Sequence, residues 1–234
     1  DVTEQAEAER MRREFTANVS HELKTPLQSI IGSAELLENS LVKPEDQPRF
    51  LNRIHQEADR LVALINDILR LSQLDEGGAL PHEQVSVLEL AQEAARSLTA
   101  QAAAKAVHIS VTGTAGTVFG VRRLLYEIAR NLCENAVKYN VPGGSVTVEV
   151  AETDRDVTLL VRDTGIGIPE GDQSRVFERF YRVDKSHSRA IGGTGLGLSI
   201  VKHAVAYHHG TLRLESQPGK GTVITVTLPK EPTE

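Results

Sequence analysis

The pair His21-Glu22 is the first place in this chain where side chains could do chemistry. Val19 and Leu23 flank it and begin an apolar stripe. On a helix, a residue two places from each of them points about 200° away from that stripe, into solvent. A lone histidine there is ordinarily just a wet helix residue. Three neighbours argue for more. Glu22 can reach an imidazole, and Thr25 lies one turn on along the same face. Pro26 removes the backbone hydrogen bond to the carbonyl of Glu22 and so softens the helix beside the histidine. An exposed imidazole with an adjacent carboxylate suits nucleophilic use.

A second group of residues lies further on. Asp163 ends a strand-like run and is followed by Gly165 and Gly167, so backbone there can approach a ligand closely. Its carboxylate can accept a hydrogen bond from an amino group such as adenine N6. The run Gly192-Gly193-Thr194-Gly195-Leu196-Gly197-Leu198 opens directly into a helix pattern. Free N–H groups and the positive end of the helix dipole make such a start an anion site. Ahead of both, Asn131 and Asn135 stand four residues apart on one helix face, with Lys138 three further on. Neutral amide oxygens with a phosphate suit Mg²⁺, and the ammonium can offset phosphate charge. Paired asparagines also form local caps, and glycines also form turns, so each signal is weak alone.

Other layouts are excluded. No GxxxxGK[ST] occurs, which removes a P-loop, and Gly219-Lys220-Gly221 fits a hairpin turn. The HRD and DFG set of serine/threonine kinases is missing. His203, His208 and His209 lack a spaced Cys or carboxylate partner for metal binding. Cys133 faces away from the asparagine pair and is expected to be a packed thiol.

The elements that must hold these groups follow from periodicity. Val19, Leu23, Pro26, Ile30, Ser33 and Leu37 repeat at a spacing of three and four, as do Leu51, Ile54, Ala58, Leu61, Ile65 and Ile68. The Pro- and Asp-rich stretch Lys43–Pro48 is a turn between two long helices. An antiparallel hairpin alone cannot enclose that stripe, so two copies are expected to pair into a four-helix bundle, a homodimer. Asp75–Pro81 is the candidate linker. Beyond it the pattern alternates. Helices are expected at about Leu88–Lys105, Arg122–Tyr139 and Leu196–His208. Strands are expected at Val107–Thr112, Val146–Ala151, Val157–Val161, Thr211–Glu215 and Thr222–Leu228. Short turns require antiparallel pairs, giving an α/β sandwich with a mixed sheet and helices on one face.

The bulk properties agree with a soluble protein of one or two domains: 234 residues, 40% hydrophobic and 25% charged. A net charge of −6 gives no case for nucleic acid or an anionic membrane as partner. The single cysteine fits a reducing compartment.

Taken together, these residues resemble the catalytic core of a bacterial two-component sensor histidine kinase. Phe15–Leu27 resembles the H box, Asn131–Asn140 the N box, Asp163–Ile168 the G1 box, Val176–Arg182 the F box and Gly193–Leu198 the G2 box, in the family order. The resemblance runs from about Ala8 to Pro229 and is nearest to the phosphate-regulon and cell-wall-stress type kinases. Asp1-Val2-Thr3-Glu4 resembles the exit of a PAS sensor domain.

The resemblance implies a division into a signalling-helix linker over 1–10, a dimerisation and histidine phosphotransfer domain over 11–75, and a catalytic ATP-binding domain over 83–230. His21 would accept phosphate, Glu22 would orient the ring or take its proton, and Thr25 would position water for dephosphorylating the regulator. Asp163 would bind adenine, and Asn131 and Asn135 would hold Mg²⁺. Lys138 and Arg182 would meet phosphates, and Tyr139 would line the pocket. Gly165, Gly167, Gly193, Thr194, Gly195, Leu196 and Gly197 would give access to the nucleotide. Residues from about Val183 to Gly192, with Lys185, Ser186, Ser188 and Arg189, would form the ATP lid. ATP and Mg²⁺ are the implied cofactors, and a response-regulator receiver domain is the implied partner. The chain starts at Asp1 without an initiator Met. The expectation is a cytoplasmic fragment of a bacterial inner-membrane sensor, with no membrane contact of its own. An ATPase of the same nucleotide-binding superfamily and a non-catalytic dimeric scaffold are the alternatives. Three departures from the family pattern stand out: Asn140 where Thr or Ser is commoner, His208-His209-Gly210 in place of His-Gly-Gly or His-Asn-Gly, and no Asp near Gly120-Val121 ahead of the N-box helix. The first two are not expected to touch a catalytic role, and the third is expected to be a structural variation.

Overall fold

Leucine, alanine and charged residues with a three-four apolar repeat dominate the first seventy positions, and they form two long helices. A computed structural model describes residues 2–75, 80–183 and 193–231; within these, the side chains of 2–9, 11, 12, 14 and 73–75 are not described. The expected lid beyond Val183, the middle of the expected linker and Asp1 lie outside the described residues. The chain divides into two compact units, Asp1–Leu69 and Arg70–Glu234.

In the first unit, α1 spans Val2–Glu38 and α2 spans Gln47–Asp75, its last residues entering the second unit. Helix α1 runs through Pro26. It stops at a left-handed residue, Ser40, at φ 56°. The N–H of Leu41 reaches the carbonyl of Leu36 at 3.0 Å and that of Ser40 reaches Leu37 at 3.1 Å, which satisfies the last carbonyls as a Schellman cap. Pro26, Ser33, Val42 and Leu64 are buried.

The stripe on α2 does not close as one seam. Leu51 is 58% and Ile65 47% exposed, whereas Leu64, outside the expected register, is buried. One partner helix covers only one side of an apolar face this wide. Leu27, Ile31, Leu36, Val62, Ile65 and Leu69 remain on the surface of the single hairpin.

The second unit contains β1 (Glu83–Ser86), α3 (Val87–Ser97), α4 (Thr99–Ala104), β2 (His108–Gly113), β3 (Thr117–Gly120), α5 (Arg122–Lys138), β4 (Ser145–Glu152), β5 (Asp156–Asp163), α6 (Glu170–Gln173), α7 (Gly197–Tyr207), β6 (Thr211–Gln217) and β7 (Gly221–Pro229). Five strands form one sheet in the order β2-β4-β5-β7-β6. The β2–β4 pair is parallel and the other pairs are antiparallel. Alternate residues Val146, Val148, Val150, Val157, Leu159, Val161, Val226 and Leu228 are buried in one core with Leu90, Ala94, Ile128, Leu132, Val201 and Ala204 of the helices. This is the mixed-sheet α/β domain that the alternating pattern implies.

Two expectations need correction. The helix expected over Leu88–Lys105 is two helices, broken at Leu98. There the Ser97 hydroxyl donates to the carbonyl of Ala94 and that of Thr99 to Arg96. Such local bonds offer backbone groups an alternative to the helix ladder. Strands β1 and β3 pair antiparallel as a separate two-stranded sheet, additional to the strands expected from alternation.

Candidate active site

Helix α1 presents His21 to solvent, its side chain 74% exposed. Nδ1 of the ring lies 3.7 Å from Glu22 Oε1, an ion-pair distance but too long for a hydrogen bond. The Thr25 hydroxyl donates back to the carbonyl of His21 at 3.2 Å. The backbone thus holds that hydroxyl one turn from the imidazole, and its lone pairs stay available to a water.

In the second unit the apolar face of α5 is buried and its polar face carries the asparagines. Asn131 Nδ2 donates to the carbonyl of Glu127 at 2.8 Å. This bond fixes which end of the amide points outward. Oδ1 is left facing Gly197, where a Cβ would lie 2.9 Å from it. Asn135 is half-buried on the same face. Lys138 Nζ and the Tyr139 hydroxyl both face Gly193, 3.1 and 3.4 Å from where its Cβ would stand. Burial pushes the Tyr139 phenol above its ordinary pKa, while the nearby Arg182 charge pulls it down. Asn131 thus faces Gly197, Lys138 and Tyr139 face Gly193, and Arg182 is near enough to Tyr139 to act on its phenol. Lys105 Nζ donates to the carbonyl of Lys138 and closes the C-terminal end of α5.

Asp163 is the last residue of β5. Its Oδ1 accepts the N–H of Gly165 at 2.7 Å and that of Thr222 at 3.3 Å. Both bonds end on one oxygen, so Oδ2 can take a ligand amino group. Burial raises the carboxyl pKa, and the two backbone bonds oppose that rise. The loop after Asp163 is stitched on two sides. Ile166 N–H reaches the carbonyl of Tyr139 at 3.1 Å, and Gly219 N–H reaches that of Ile166 at 2.8 Å. Gly167 sits at φ 68° with the carbonyl of Gln217 only 2.0 Å from where a Cβ would be. No other residue fits there.

The glycine run before α7 is tied to the F-box segment. Phe180, left-handed at φ 65°, donates its N–H to the carbonyl of Gly195 at 2.9 Å. The Thr194 hydroxyl accepts the N–H of Leu196 at 3.3 Å. Leu196 is fully buried, so only its backbone is available to a ligand. On α7, His203 bonds the carbonyl of Ser199 through Nδ1 at 2.7 Å and meets the Arg179 guanidinium through Nε2 at 2.9 Å. A strand-end carboxylate, an asparagine helix and a glycine run opening a helix thus converge in one unit, while an exposed histidine stands in the other.

Known proteins show the same two parts. Residues 11–77 match the phospho-acceptor domain of His Kinase A, and residues 120–232 match the ATPase domain shared by histidine kinases, DNA gyrase B and HSP90. The solved structure of a mycobacterial sensor histidine kinase, MprB, superposes with a TM-score of 0.57 at 33% identity, over 65% of this chain and all of that one. This chain belongs to the sensor histidine kinases. Among curated histidine kinases, SenX3 of Mycolicibacterium smegmatis is 42% identical over 99% of the chain, and WalK of Bacillus subtilis is 37% identical over 98%. The chain spans 61% of the length of that SenX3 and 38% of that WalK.

Within this histidine kinase, the sequence departures carry more weight than their types suggest. Asn140 is buried. Its Oδ1 accepts from Val141 N–H and the Thr164 hydroxyl, and its Nδ2 donates to the carbonyl of Ser145. It clasps the end of the N box to the residue after Asp163. His208 is buried too. Its Nδ1 bonds the carbonyl of Ala204 at 2.7 Å, and its Nε2 accepts the N–H of Val121, the residue that caps α5, at 3.0 Å. These partners require a neutral ring with the proton on Nδ1. Burial accordingly holds its pKa below the usual histidine value. Asn140 fixes the start of the loop after Asp163, and His208 fixes the start of the helix that carries Asn131 and Asn135. The Asn140 clasp has no signature in spacing. The His208 bond could have been sought, since a histidine at a helix end often holds backbone. Cys133 is wholly buried, and burial lifts its thiol pKa to about 12, so it is inert.

The donor set fits Mg²⁺. Asn131 offers a neutral oxygen whose orientation is fixed by the bond to Glu127, and Asn135 lies one turn further on the same face.

Proposed function

We propose that this chain moves the γ-phosphoryl group of ATP to Nε2 of His21 and then to an aspartate on a response-regulator receiver domain. One observation carries the reading: an imidazole 74% exposed, with Nδ1 turned to a carboxylate, in a chain that also holds an ATPase domain of this family. Nε2 attacks phosphorus in line, the bond from phosphorus to the β–γ bridging oxygen breaks, and ADP leaves. The Nδ1 proton is held by Glu22, which stabilises the imidazolium as it forms. Asp163 takes the adenine amino group, and Lys138 and Arg182 meet the phosphates. The chemistry a bound Mg²⁺ supplies is neutralisation of phosphoryl charge, and Asn131 and Asn135 are the residues that would hold it.

The same reading gives Thr25 the placement of water for dephosphorylating the regulator. It makes the working form a homodimer, because the apolar residues left open on the hairpin need a second copy. Among the described residues no helix is long and apolar enough to cross a membrane. ATP and receiver domains are cytoplasmic, so we assign this chain to the cytoplasmic side of an inner-membrane sensor. The ATPase alternative needs a base beside the metal asparagines. The residue one turn before Asn135 is Asn131, a poor base, and the Glu127 carboxylate one turn earlier still is taken up by Arg70 at 3.2 Å.

Incubation with γ-labelled ATP and Mg²⁺ tests the proposal. The expected result is an acid-labile, base-stable label on the chain that His21→Ala abolishes. Release of free phosphate without label on the protein would support the ATPase, and no reaction would support the scaffold.

A further inference from the structure

The hairpin brings a third residue to His21 that spacing could not reveal. Arg60 of α2 lies with one terminal nitrogen 3.5 Å from Glu22 Oε2. The other carboxylate oxygen, Oε1, is the one facing His21 Nδ1. The second terminal nitrogen of Arg60 lies 4.0 Å from Glu57 Oε2, one turn back on α2. The Arg60 side chain is only 15% exposed. Glu57 Oε2 is buried and makes no hydrogen bond among the described residues, so the Arg60 charge is what balances it.

We infer that Arg60 is a positioning residue for phosphoryl transfer: it grips one oxygen of Glu22 and thereby aims the other at Nδ1 of His21. The inference rests on the phosphotransfer reading above. A glutamate side chain has several rotamers, and most would carry its carboxylate away from the ring. A planar guanidinium with two separated nitrogens can hold Glu57 with one and Glu22 with the other. In that arrangement the distance to Nδ1 is 3.7 Å. A small shift then makes the hydrogen bond that the developing imidazolium needs, and the carboxylate need not be found first. Arginine suits this position better than lysine, whose point charge cannot serve both carboxylates at fixed angles.

The test is a double-mutant cycle on the whole chain, read as label incorporation from γ-labelled ATP, with His21→Ala as control. Arg60→Gln is expected to lower kcat about tenfold and leave KM for ATP unchanged, a loss smaller than the roughly 10²- to 10⁴-fold of a general acid or base itself, as suits a residue that acts through Glu22. In a Glu22→Gln background the same change is expected to cost less than about twofold, because Arg60 acts through Glu22. Arg60→Lys is expected to fall between wild type and Arg60→Gln, and it also serves if Arg60→Gln proves unfolded by circular dichroism. Multiplicative losses in the two backgrounds, a shifted KM, or full activity of both Arg60 variants would overturn the inference. Label that persists in His21→Ala would instead overturn the phosphotransfer reading itself.

Discussion

At the scale of single residues, Asp163 offers the sharpest test of nucleotide binding. Asp163→Asn keeps an oxygen to accept the N–H groups of Gly165 and Thr222 but turns an amide donor toward the adenine amino group. A hydrogen bond to a charged group contributes about 1.5–3 kcal/mol, so the Kd for ATP by calorimetry is expected to rise about 10- to 150-fold. An unchanged Kd would remove Asp163 from the site. Thr25→Ala is expected to spare label incorporation and to slow dephosphorylation of a phosphorylated regulator by at least about tenfold, measured as loss of label from the receiver domain. Residues of distinctive type at fixed spacing are legible in the sequence: His21 beside Glu22, the asparagine pair, the glycines after Asp163. Arg60 and Asn140 are not, because what they do depends on partners brought in by the fold. Arg60 meets Glu22 across two helices, and Asn140 meets Thr164, 24 residues further along the chain.

At the scale of elements, Pro26 and His208 act on the helix that carries His21 and on the helix that carries the asparagine pair. Pro26 lies inside α1, five residues past His21, and deprives the carbonyl of Glu22 of its helical partner. Pro26→Ala is expected to stiffen that turn and shift the ratio of kinase to phosphatase rates; unchanged rates for both would discard a role for the soft turn in signalling. His208 anchors the start of α5. Its pKa is lowered in the fold by burial, so as pH falls through the usual histidine value of 6.5 the unfolded chain takes up a proton that the folded chain refuses. Stability is therefore complete above that value and is lost as pH falls below it. The calorimetric melting temperature is expected to drop between about pH 7 and 5.5, and more steeply in wild type than in His208→Gln, which keeps an acceptor for Val121. Equal slopes would contradict this. The long helices and the five strands of the main sheet are legible from period alone. The break at Leu98 is not, since a leucine there fits a continuous helix. Strands β1 and β3 are four residues each, too short for alternation to show.

At the scale of the whole molecule, the proposed phosphotransfer draws on both units, and its proposed working form pairs two chains. The surface apolar residues of the hairpin, Val62, Ile65 and Leu69 on α2 with Leu27 and Ile31 on α1, are what a second copy would cover. Ile65→Glu is expected to yield monomers by light scattering after size exclusion, and a dimer of undiminished stability would refute that face. The division into a helical hairpin and a mixed-sheet domain is legible because periodicity changes from three-four to two after the hairpin. The width of the hairpin's apolar face is not legible, because a three-four repeat does not say how many neighbours a helix has. The most direct measurement is phosphorus NMR of the chain after incubation with ATP and Mg²⁺, with the imidazole nitrogens labelled. The expected spectrum has a phosphoramidate resonance coupled to Nε2 of His21 and absent in His21→Gln. A phosphoester on Ser20 or Thr25, or free phosphate with an unmodified His21, would contradict phosphoryl transfer to this imidazole.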